Sequence, residues 1–204
     1  MKYYPIFLDM KDRPVLVVGG GYVALQKIEV LLKSGAKIKV VTKELIAKEI
    51  LSLNIPLEIR EYREEDILGI SVIVAATNDS KINSLIYSHS KKHNVLLNAV
   101  DDKENCDFIL GAIANHGDIT VTVSTGGHSP IMAKKIRDKI DLLLGEEYEI
   151  LLKELSKYRT LAYGTLEVEE RKVFFDFLSE NFDKLLKQPK LVKEKYEFLA
   201  LKFK

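Results

Sequence analysis

The chain has 204 residues, of which 47% are hydrophobic, so it is long enough for one domain of typical size plus an extension around a buried core. Its 31 Lys and Arg against 30 Asp and Glu give a net charge of +1, which argues against nucleic acid as a partner. Cys106 is the single cysteine, which excludes an internal disulfide, and no apolar run approaches the roughly 18 residues of a membrane span, so we expect a cytoplasmic protein without membrane contact.

The first half of the chain alternates apolar runs with amphipathic segments. Strands are predicted at 15–20, 37–42, 57–62, 71–77 and 95–100, with helices at 22–35, 43–53 and 81–93 and a turn at 63–70. This order is typical of βαβ units on a parallel sheet and predicts a Rossmann-type domain over residues 1–112. Right-handed crossovers would place all carboxyl ends of the strands on one edge, where ligands bind.

The pattern changes after residue 101. The segment FILGAIANHGDITVTVS predicts two strands around a turn at 115–118, and helices are predicted at 130–144, 146–161 and 167–187, with Gly145, Gly164 and Pro189 as breaks. We therefore expect an α/β protein in which the Rossmann-type domain is followed by a small α+β dimerisation and substrate domain over 113–145. A helical domain would occupy residues 146–204.

A glycine-rich segment follows the first predicted strand. In VLVVGGGYVALQK, Gly19, Gly21 and Ala24 form a G-x-G-x-x-A pattern between a strand and a helix, which is the context of a dinucleotide fingerprint. Gly19 would permit the tight turn, Gly21 would let phosphate approach, and Ala24 would allow close packing. The backbone amides near Tyr22 and Val23 would then face the pyrophosphate.

The end of the second strand should contact the ribose of a bound dinucleotide. The chain has Lys43 and Glu44 there. A glutamate that bonds the ribose hydroxyls favours NAD, whereas a lysine that attracts a 2′-phosphate favours NADP. These residues alone do not decide between NAD and NADP.

Two further strand ends carry polar residues on the same edge. Thr77 and Asn78 are candidate cofactor contacts, although a helix cap by Asn78, Asp79 or Ser80 explains the same residues and is compatible with contact. Asn98 and Asp101 follow the next strand. Asp101 could orient a substrate, accept a proton or ligate a metal, or it could simply cap a turn.

The segment VSTGGHSPIMAKKIR combines an alternating strand, a glycine turn and a helix start. Gly126 and Gly127 allow a sharp turn, Ser129 stands at the N-cap position and Pro130 at the first helical position. Such a junction suits carboxylates or phosphates, while an ordinary strand-to-helix loop is the alternative.

Two histidines and the cysteine offer little for a metal site. His89 and His93 lie four residues apart on a predicted helix, a spacing that can bind metal, but Lys91 and Lys92 beside them favour a solvated face. Cys106 is expected to be a small buried hydrophobe. We expect no dedicated metal site.

Three motifs in order, PIFLDMKDRPVLVVGGGYVALQK, NAVDDKENCDFI and VSTGGHSPIMAKKIR, closely resemble the precorrin-2 dehydrogenase and sirohydrochlorin ferrochelatase family, the N-terminal module of siroheme synthase. The resemblance runs from about residue 3 to at least residue 137. The chain departs from the family by Gly111 in place of a usual proline, which we expect only to loosen a loop, and by His116 where a basic residue is frequent.

The resemblance implies NAD-dependent oxidation of precorrin-2 to sirohydrochlorin, to which some members add insertion of ferrous iron. It implies a homodimer, Asp101 as the catalytic residue, and Tyr22, Val23, Lys43 and Glu44 in the NAD site. The carboxylates of the substrate would bind the glycine turn at Ser124, Thr125, Gly126, Gly127, His128 and Ser129. His128 is read first as a loop residue and second as a substrate contact.

Two other functions would use parts of the same sequence. A regulatory domain that senses NAD without chemistry would need the fingerprint but neither NAVDDKENCDF nor STGGHSP. A chelatase as the main activity would use Asp101 as an oxygen ligand, helped by His116 or His128.

Overall fold

The computed structural model describes residues 3–100, 102 and 104–202, which fall into two compact units. The first unit contains the residues up to Leu110 together with Gly126–His128, and the second contains Gly111–Thr125 and the residues from Ser129 onward. None of the helices in the described part of the chain combines the length and apolarity that a membrane span requires. The predicted boundary between domains 113–145 and 146–204 stays a prediction.

The first unit is built on a five-stranded parallel sheet in the order β3-β2-β1-β4-β5. Its strands are β1 (Pro14–Val18), β2 (Lys37–Thr42), β3 (Leu57–Ile59), β4 (Val72–Ala75) and β5 (Leu96–Ala99). Its helices are α1 (Tyr22–Lys33) and α2 (Ser80–His93), with short 3-10 helices at Lys48–Leu53 and Glu64–Ile67. The predicted α/β class with a Rossmann-type sheet is confirmed.

Both faces of this sheet are covered. Val15 and Val17 of β1 belong to one apolar cluster, while Leu16 and Val18 belong to a second cluster on the opposite face. Burial on both faces explains why β1 reads as a continuous apolar run rather than an alternating one. The sheet thereby holds the carboxyl ends of its strands in fixed positions along one edge.

The largest differences from the predictions in this unit concern the segments after β2 and around β3. The helix predicted at 43–53 is a 3-10 helix that begins only at Lys48, and the turn predicted at 63–70 contains the 3-10 helix Glu64–Ile67. The strand predicted at 57–62 ends at Ile59. It ends there because β2, the neighbour of this edge strand, ends at Thr42, which pairs with Ile59.

A cluster of charged side chains lies beyond the end of β3. Asp66, whose side chain is 4% exposed, accepts hydrogen bonds from Arg60 at 2.6 and 2.8 Å and from Lys39 at 3.3 Å. The backbone N–H of Arg63 donates to the same carboxylate at 3.0 Å. Burial raises the pKa of Asp66, but the hydrogen bonds from Arg60, Arg63 and Lys39 outweigh burial and lower the pKa to about 2.

The second unit begins with an antiparallel pair, β6 (Ala112–His116) and β7 (Ile119–Val123), on which α3 (Pro130–Leu143) packs. Arg137 of α3 donates a hydrogen bond to the Ile113 carbonyl oxygen at 2.9 Å, and His116 lies 2.9 Å from an Asp141 carboxylate oxygen. The hairpin predicted around residues 115–118 is therefore present, and His116 links it to α3.

Four more helices complete this unit: α4 (Glu146–Thr165), α5 (Val168–Glu180), α6 (Phe182–Lys187) and α7 (Leu191–Lys202). The helix predicted at 146–161 continues through Gly164, and the one predicted at 167–187 breaks at Asn181. At the break, the backbone N–H and the side-chain amide of Asn181 both donate to the Phe177 carbonyl, at 3.1 and 2.9 Å. The helix after Pro189 was not predicted. Phe174, fully buried, lies in the core shared by these helices.

Gly111, immediately before β6, lies close to β7. A Cβ at this position would lie 2.3 Å from the Thr122 hydroxyl oxygen and 2.9 Å from the Val123 carbonyl oxygen. A side chain at residue 111 would therefore require the Thr122 hydroxyl and the adjacent backbone of β7 to shift. The expectation that Gly111 only loosens the loop stays a prediction.

Candidate functional site

A turn of three glycines joins β1 to α1. The φ of Gly19 is +131°, and a Cβ there would lie 2.2 Å from the Ala76 carbonyl oxygen. A Cβ on Gly20 would lie 2.5 Å from the Glu44 carbonyl oxygen. The turn thus packs its backbone directly against the segments that follow β4 and β2, and both positions require glycine.

Gly21 differs from the two glycines before it. A Cβ here would meet no atom of the described residues within 4 Å, and its extended backbone forms the N-cap of α1 without a capping side chain. Tyr22 and Val23 are 59% and 45% exposed, while Ala24 is fully buried. The first-turn amides of a helix lack intrahelical acceptors and carry the positive end of its dipole. This open helix start fits the pyrophosphate of a dinucleotide.

The loop after β2 is fastened to the glycine turn. The Gly20 carbonyl oxygen accepts hydrogen bonds from the backbone N–H of Ile46 at 2.9 Å and of Ala47 at 2.8 Å. The hydroxyl of Thr42, itself 5% exposed, donates to the Glu44 carbonyl at 2.6 Å. These bonds hold residues 43 and 44 beside the glycines, where the fingerprint requires its ribose contact.

Lys43 and Glu44 both have exposed side chains at this position. The Nζ atom of Lys43 lies 3.0 Å from Oε1 of Glu61, a residue that follows β3. The ion pair brings a second acidic residue, Glu61, to the segment predicted to contact the ribose. Sequence reasoning missed both Gly20 and Glu61: the run of three glycines signals the first, but nothing in the spacing signals the second.

The segment after β4 combines a helix cap with exposed polar groups. Asp79 is the N-cap of α2, since its carboxylate accepts from the backbone N–H of Lys81 at 2.9 Å and of Ile82 at 3.2 Å. The Thr77 hydroxyl donates to Asn83 Oδ1 at 2.7 Å. Asn78 is exposed. Of the three capping candidates Asp79 is the one used, and contact of Thr77 and Asn78 with a cofactor stays a prediction.

The segment after β5 is held by a buried amide and a thiol. The side-chain amide of Asn98, a residue 7% exposed, donates to the Phe108 carbonyl at 3.0 Å. The Cys106 thiol donates to the Ala99 carbonyl at 3.0 Å and accepts from the Ala99 N–H at 3.1 Å. Asn98 therefore has a structural hydrogen bond, and its cofactor contact stays a prediction. Asp101 lies outside the described residues.

The junction between β7 and α3 is a closed turn. Thr125 Oγ1 accepts a hydrogen bond from the Ser129 N–H and donates to the Ser129 carbonyl, both at 3.0 Å. Gly126 and Gly127 have φ values of +61° and +79°, as the sharp turn requires. Ser129 is the N-cap of α3 and accepts from the Met132 N–H at 3.1 Å, with Pro130 in the first turn. Ser124 and His128 are exposed.

The interpretation that His89 and His93 of α2 mark a solvated face was wrong, because both side chains are partly buried. His93 Nε2 lies 2.9 Å and His89 Nε2 3.6 Å from the Glu64 carboxylate, and Tyr62 covers His89 with a hydroxyl 3.2 Å from Nδ1. Hydrogen bonds from Lys92 and His93 lower the pKa of Glu64 to about 2. Within residues 3–100, 102 and 104–202, no group of three or more His, Cys, Asp or Glu could hold a metal ion.

Two family models match this chain. The family described as "Putative NAD(P)-binding" matches residues 6–112, and the one described as "Sirohaem biosynthesis protein central" matches residues 116–141. The first match covers the parallel sheet and the glycine turn. The second begins in β6 and includes the turn at 125–129.

Curated relatives extend the similarity along the chain. The siroheme synthase of Mannheimia succiniciproducens is 34% identical over 203 residues, which cover 97% of this chain and 42% of that protein. The siroheme synthase of Blochmanniella pennsylvanica is 38% identical over 162 residues, which cover 78% of this chain and 34% of that protein. The chain therefore spans less than half the length of these relatives.

A solved structure matches the whole chain. The structure of SirC, a precorrin-2 dehydrogenase, superposes with a TM-score of 0.76 at 28% identity, covering 98% of this chain and 100% of that one. The similarity thus includes the helices that follow the turn at 125–129 as well as the parallel sheet.

Proposed function

This chain belongs to the family of precorrin-2 dehydrogenases and siroheme synthases, and from that premise we propose that it oxidises precorrin-2 to sirohydrochlorin with NAD. The observation that carries the proposal is the full-length match to a precorrin-2 dehydrogenase. A domain that only senses NAD would need the glycine turn and the parallel sheet. It would not need the hairpin, the turn at 125–129 and the helices, which the match also covers.

The glycine turn supplies the cofactor site in this proposal. The amides after Gly19 and Gly21, at Tyr22 and Val23, hold the pyrophosphate, and Ala24 lets α1 approach the sheet closely enough to present them. NAD, when bound, supplies a two-electron acceptor for a hydride. Further contacts are proposed for the polar residues that follow β2, β4 and β5, namely Lys43, Glu44, Thr77, Asn78 and Asn98.

We assign catalysis to Asp101. Oxidation of the macrocycle removes a hydride and a proton, and a carboxylate can accept that proton or orient the ring that loses it. Substrate carboxylates would bind the polar turn formed by Ser124, Thr125, Gly126, Gly127, His128 and Ser129. Support for an anion site there comes from the N-cap of α3 and the two left-handed glycines.

Purified protein incubated with precorrin-2 and NAD tests the activity. We expect the absorbance to change to that of sirohydrochlorin as NADH forms, and we expect Asp101→Asn to lower kcat by about 100-fold or more while the Kd for NAD is unchanged. Asp176→Asn, on the exposed face of α5, is the matched control. Full turnover by the Asp101 variant would refute its catalytic role.

The same reaction separates the other functions. NAD binding without any turnover by the unmodified chain would contradict the dehydrogenase and favour a sensor. Ferrous iron added after oxidation is complete tests for a second activity. Metal insertion faster than the uncatalysed rate would establish a chelatase.

A homodimer is the assembly we propose. Met132, Ile136 and Leu143 lie on one side of α3 and are 56%, 40% and 70% exposed, although α3 is covered by the hairpin on its other side. An exposed apolar stripe of this kind is typical of a subunit interface. Light scattering after gel filtration should give twice the chain mass, and Leu143→Glu should reduce it. Leu68, in the other unit, is 63% exposed, and the control Leu68→Glu should leave the mass unchanged. A monomeric wild-type chain would contradict the dimer.

We propose that the reaction takes place in the cytoplasm. The Cys106 sulfur lies 3.0 Å from the Ala99 carbonyl oxygen and 3.1 Å from the Asp102 carbonyl oxygen, and donation of its single S–H to either one requires a reduced sulfur. A reducing compartment maintains that state. Fractionation of cells that produce the protein checks the location.

A further inference from the structure

The ribose end of the proposed dinucleotide site contains one cation that is already paired. Lys43 Nζ lies 3.0 Å from Glu61 Oε1, and the two side chains are 80% and 68% exposed. Both groups are therefore accessible to a ligand that binds beside the glycine turn. Glu61 reaches this position from the segment after β3, because Arg60 still donates its backbone N–H to the Thr42 carbonyl at 2.8 Å and keeps this segment beside the end of β2.

Carboxylates outnumber cations around this lysine. The pKa of Lys43 is raised, chiefly by its hydrogen bond to Glu61, and Asp79 at the start of α2 also contributes. Glu44, the next residue in the chain, is a further exposed glutamate of this segment. The guanidinium of Arg60 is nearby, but it is bound by Asp66 and Glu58. The local field around Lys43 is thus negative.

We propose that Glu61 selects NAD over NADP by neutralising Lys43 and by repelling a 2′-phosphate. This inference rests on the proposed function, since it concerns the same dinucleotide site. A neutral ribose diol can bind beside the ion pair of Lys43 and Glu61, and the Glu44 carboxylate can accept hydrogen bonds from its hydroxyl groups. A phosphomonoester carries nearly two negative charges, so it must compete with Glu61 for Lys43 while facing Glu44 and Asp79.

Measured dissociation constants for NAD and NADP with the full chain test the inference, without any need for turnover. Glu61→Gln keeps the size of the side chain and removes its charge. We expect the Kd for NADP to fall about fivefold, as an exposed charge pair allows, with the Kd for NAD unchanged. Because the effect is electrostatic, the change should shrink in 0.5 M salt.

Two controls make the result specific. Glu65→Gln removes another exposed glutamate of the same unit and should leave both constants unchanged. Adding Lys43→Gln to the Glu61 variant should abolish the gain in NADP affinity, because the lysine freed by the first change supplies it. Unchanged thermal unfolding of each variant would exclude a general loss of structure.

The outcomes distinguish this inference from the proposed function. An unchanged ratio of NADP to NAD affinity in the Glu61 variant would overturn the inference even if the chain oxidises precorrin-2. A fivefold gain for NADP would support it even if no turnover is seen. A chain that binds neither dinucleotide would overturn both.

Discussion

Replacing Asp66 by Asn should destabilise the first unit. The change removes a buried carboxylate that accepts hydrogen bonds from two positively charged side chains and one backbone N–H. Arg60 contacts the carboxylate through both terminal nitrogens, at 2.6 and 2.8 Å, and Lys39 approaches to 3.3 Å. Asn retains the shape but has one acceptor oxygen and no charge. Arg60 would then lose its bidentate partner beside the sheet edge.

The pKa of Asp66 gives the size of the effect. The pKa is 3.8 in an ordinary environment and about 2 here, and the difference corresponds to about 2.4 kcal/mol of unfolding free energy at neutral pH. A lowered carboxylate pKa stabilises the fold above the unfolded value and loses that effect as pH falls through the folded value. By pH 3 about half of the contribution should remain.

Urea denaturation at pH 7, 5 and 3 measures this contribution. The transition of the sheet-containing unit can be identified as the one that NAD shifts to higher urea. We expect Asp66→Asn to lower its unfolding free energy by about 2 kcal/mol at pH 7, and the gap from wild type to narrow towards pH 3. Asp12→Asn removes an exposed partner of Lys37 and should cost less than about 0.5 kcal/mol. A gap that is small at pH 7, or constant with pH, would refute this account of Asp66.

The remaining predictions concern the glycine turn and the helical core. Gly20→Ala should weaken NAD binding at least about tenfold and also lower stability, because its Cβ would lie 2.5 Å from the Glu44 carbonyl oxygen. Gly21→Ala should weaken NAD binding with little loss of stability, because its Cβ would meet no described atom within 4 Å. Calorimetric titration measures NAD binding and thermal unfolding measures stability. Equal losses of stability in the two variants would contradict this difference between Gly20 and Gly21. Phe174→Ala should lower the unfolding free energy measured in urea by about 3–5 kcal/mol, because Phe174 is fully buried. Val173 is 47% exposed, so Val173→Ala should lower it far less. Similar losses in the two variants would argue against the packing described for Phe174.

The sequence predicted the parallel sheet well because that sheet depends on local patterns. Apolar runs such as VLVV alternate with amphipathic helices, and each run became a strand of the buried sheet. The edge strand β3 was predicted too long because its length depends on where β2 ends. That is a property of the pairing of Thr42 with Ile59, and composition does not reveal it.

The candidate site was predicted only in part for a similar reason. Gly19 and Gly21 are visible as a fingerprint, and the N-cap at Ser129 as a capping pattern. Glu61 and Asp66 gain their roles from partners distant in sequence, Lys43 and Lys39. Helical spacing of apolar residues gives no sign of the break at Asn181, where the backbone N–H and the side-chain amide both donate to the Phe177 carbonyl.

The position of β1 at the centre of its sheet has a consequence for how the chain folds during synthesis. Val15 pairs with Ile38 on one side and with Val72 on the other, so one side of β1 lacks its neighbour until β4 has left the ribosome. Strand pairs so distant in sequence form slowly. A nascent chain stalled before β4 would expose an apolar strand edge, which is a site for association with other chains and for chaperone binding.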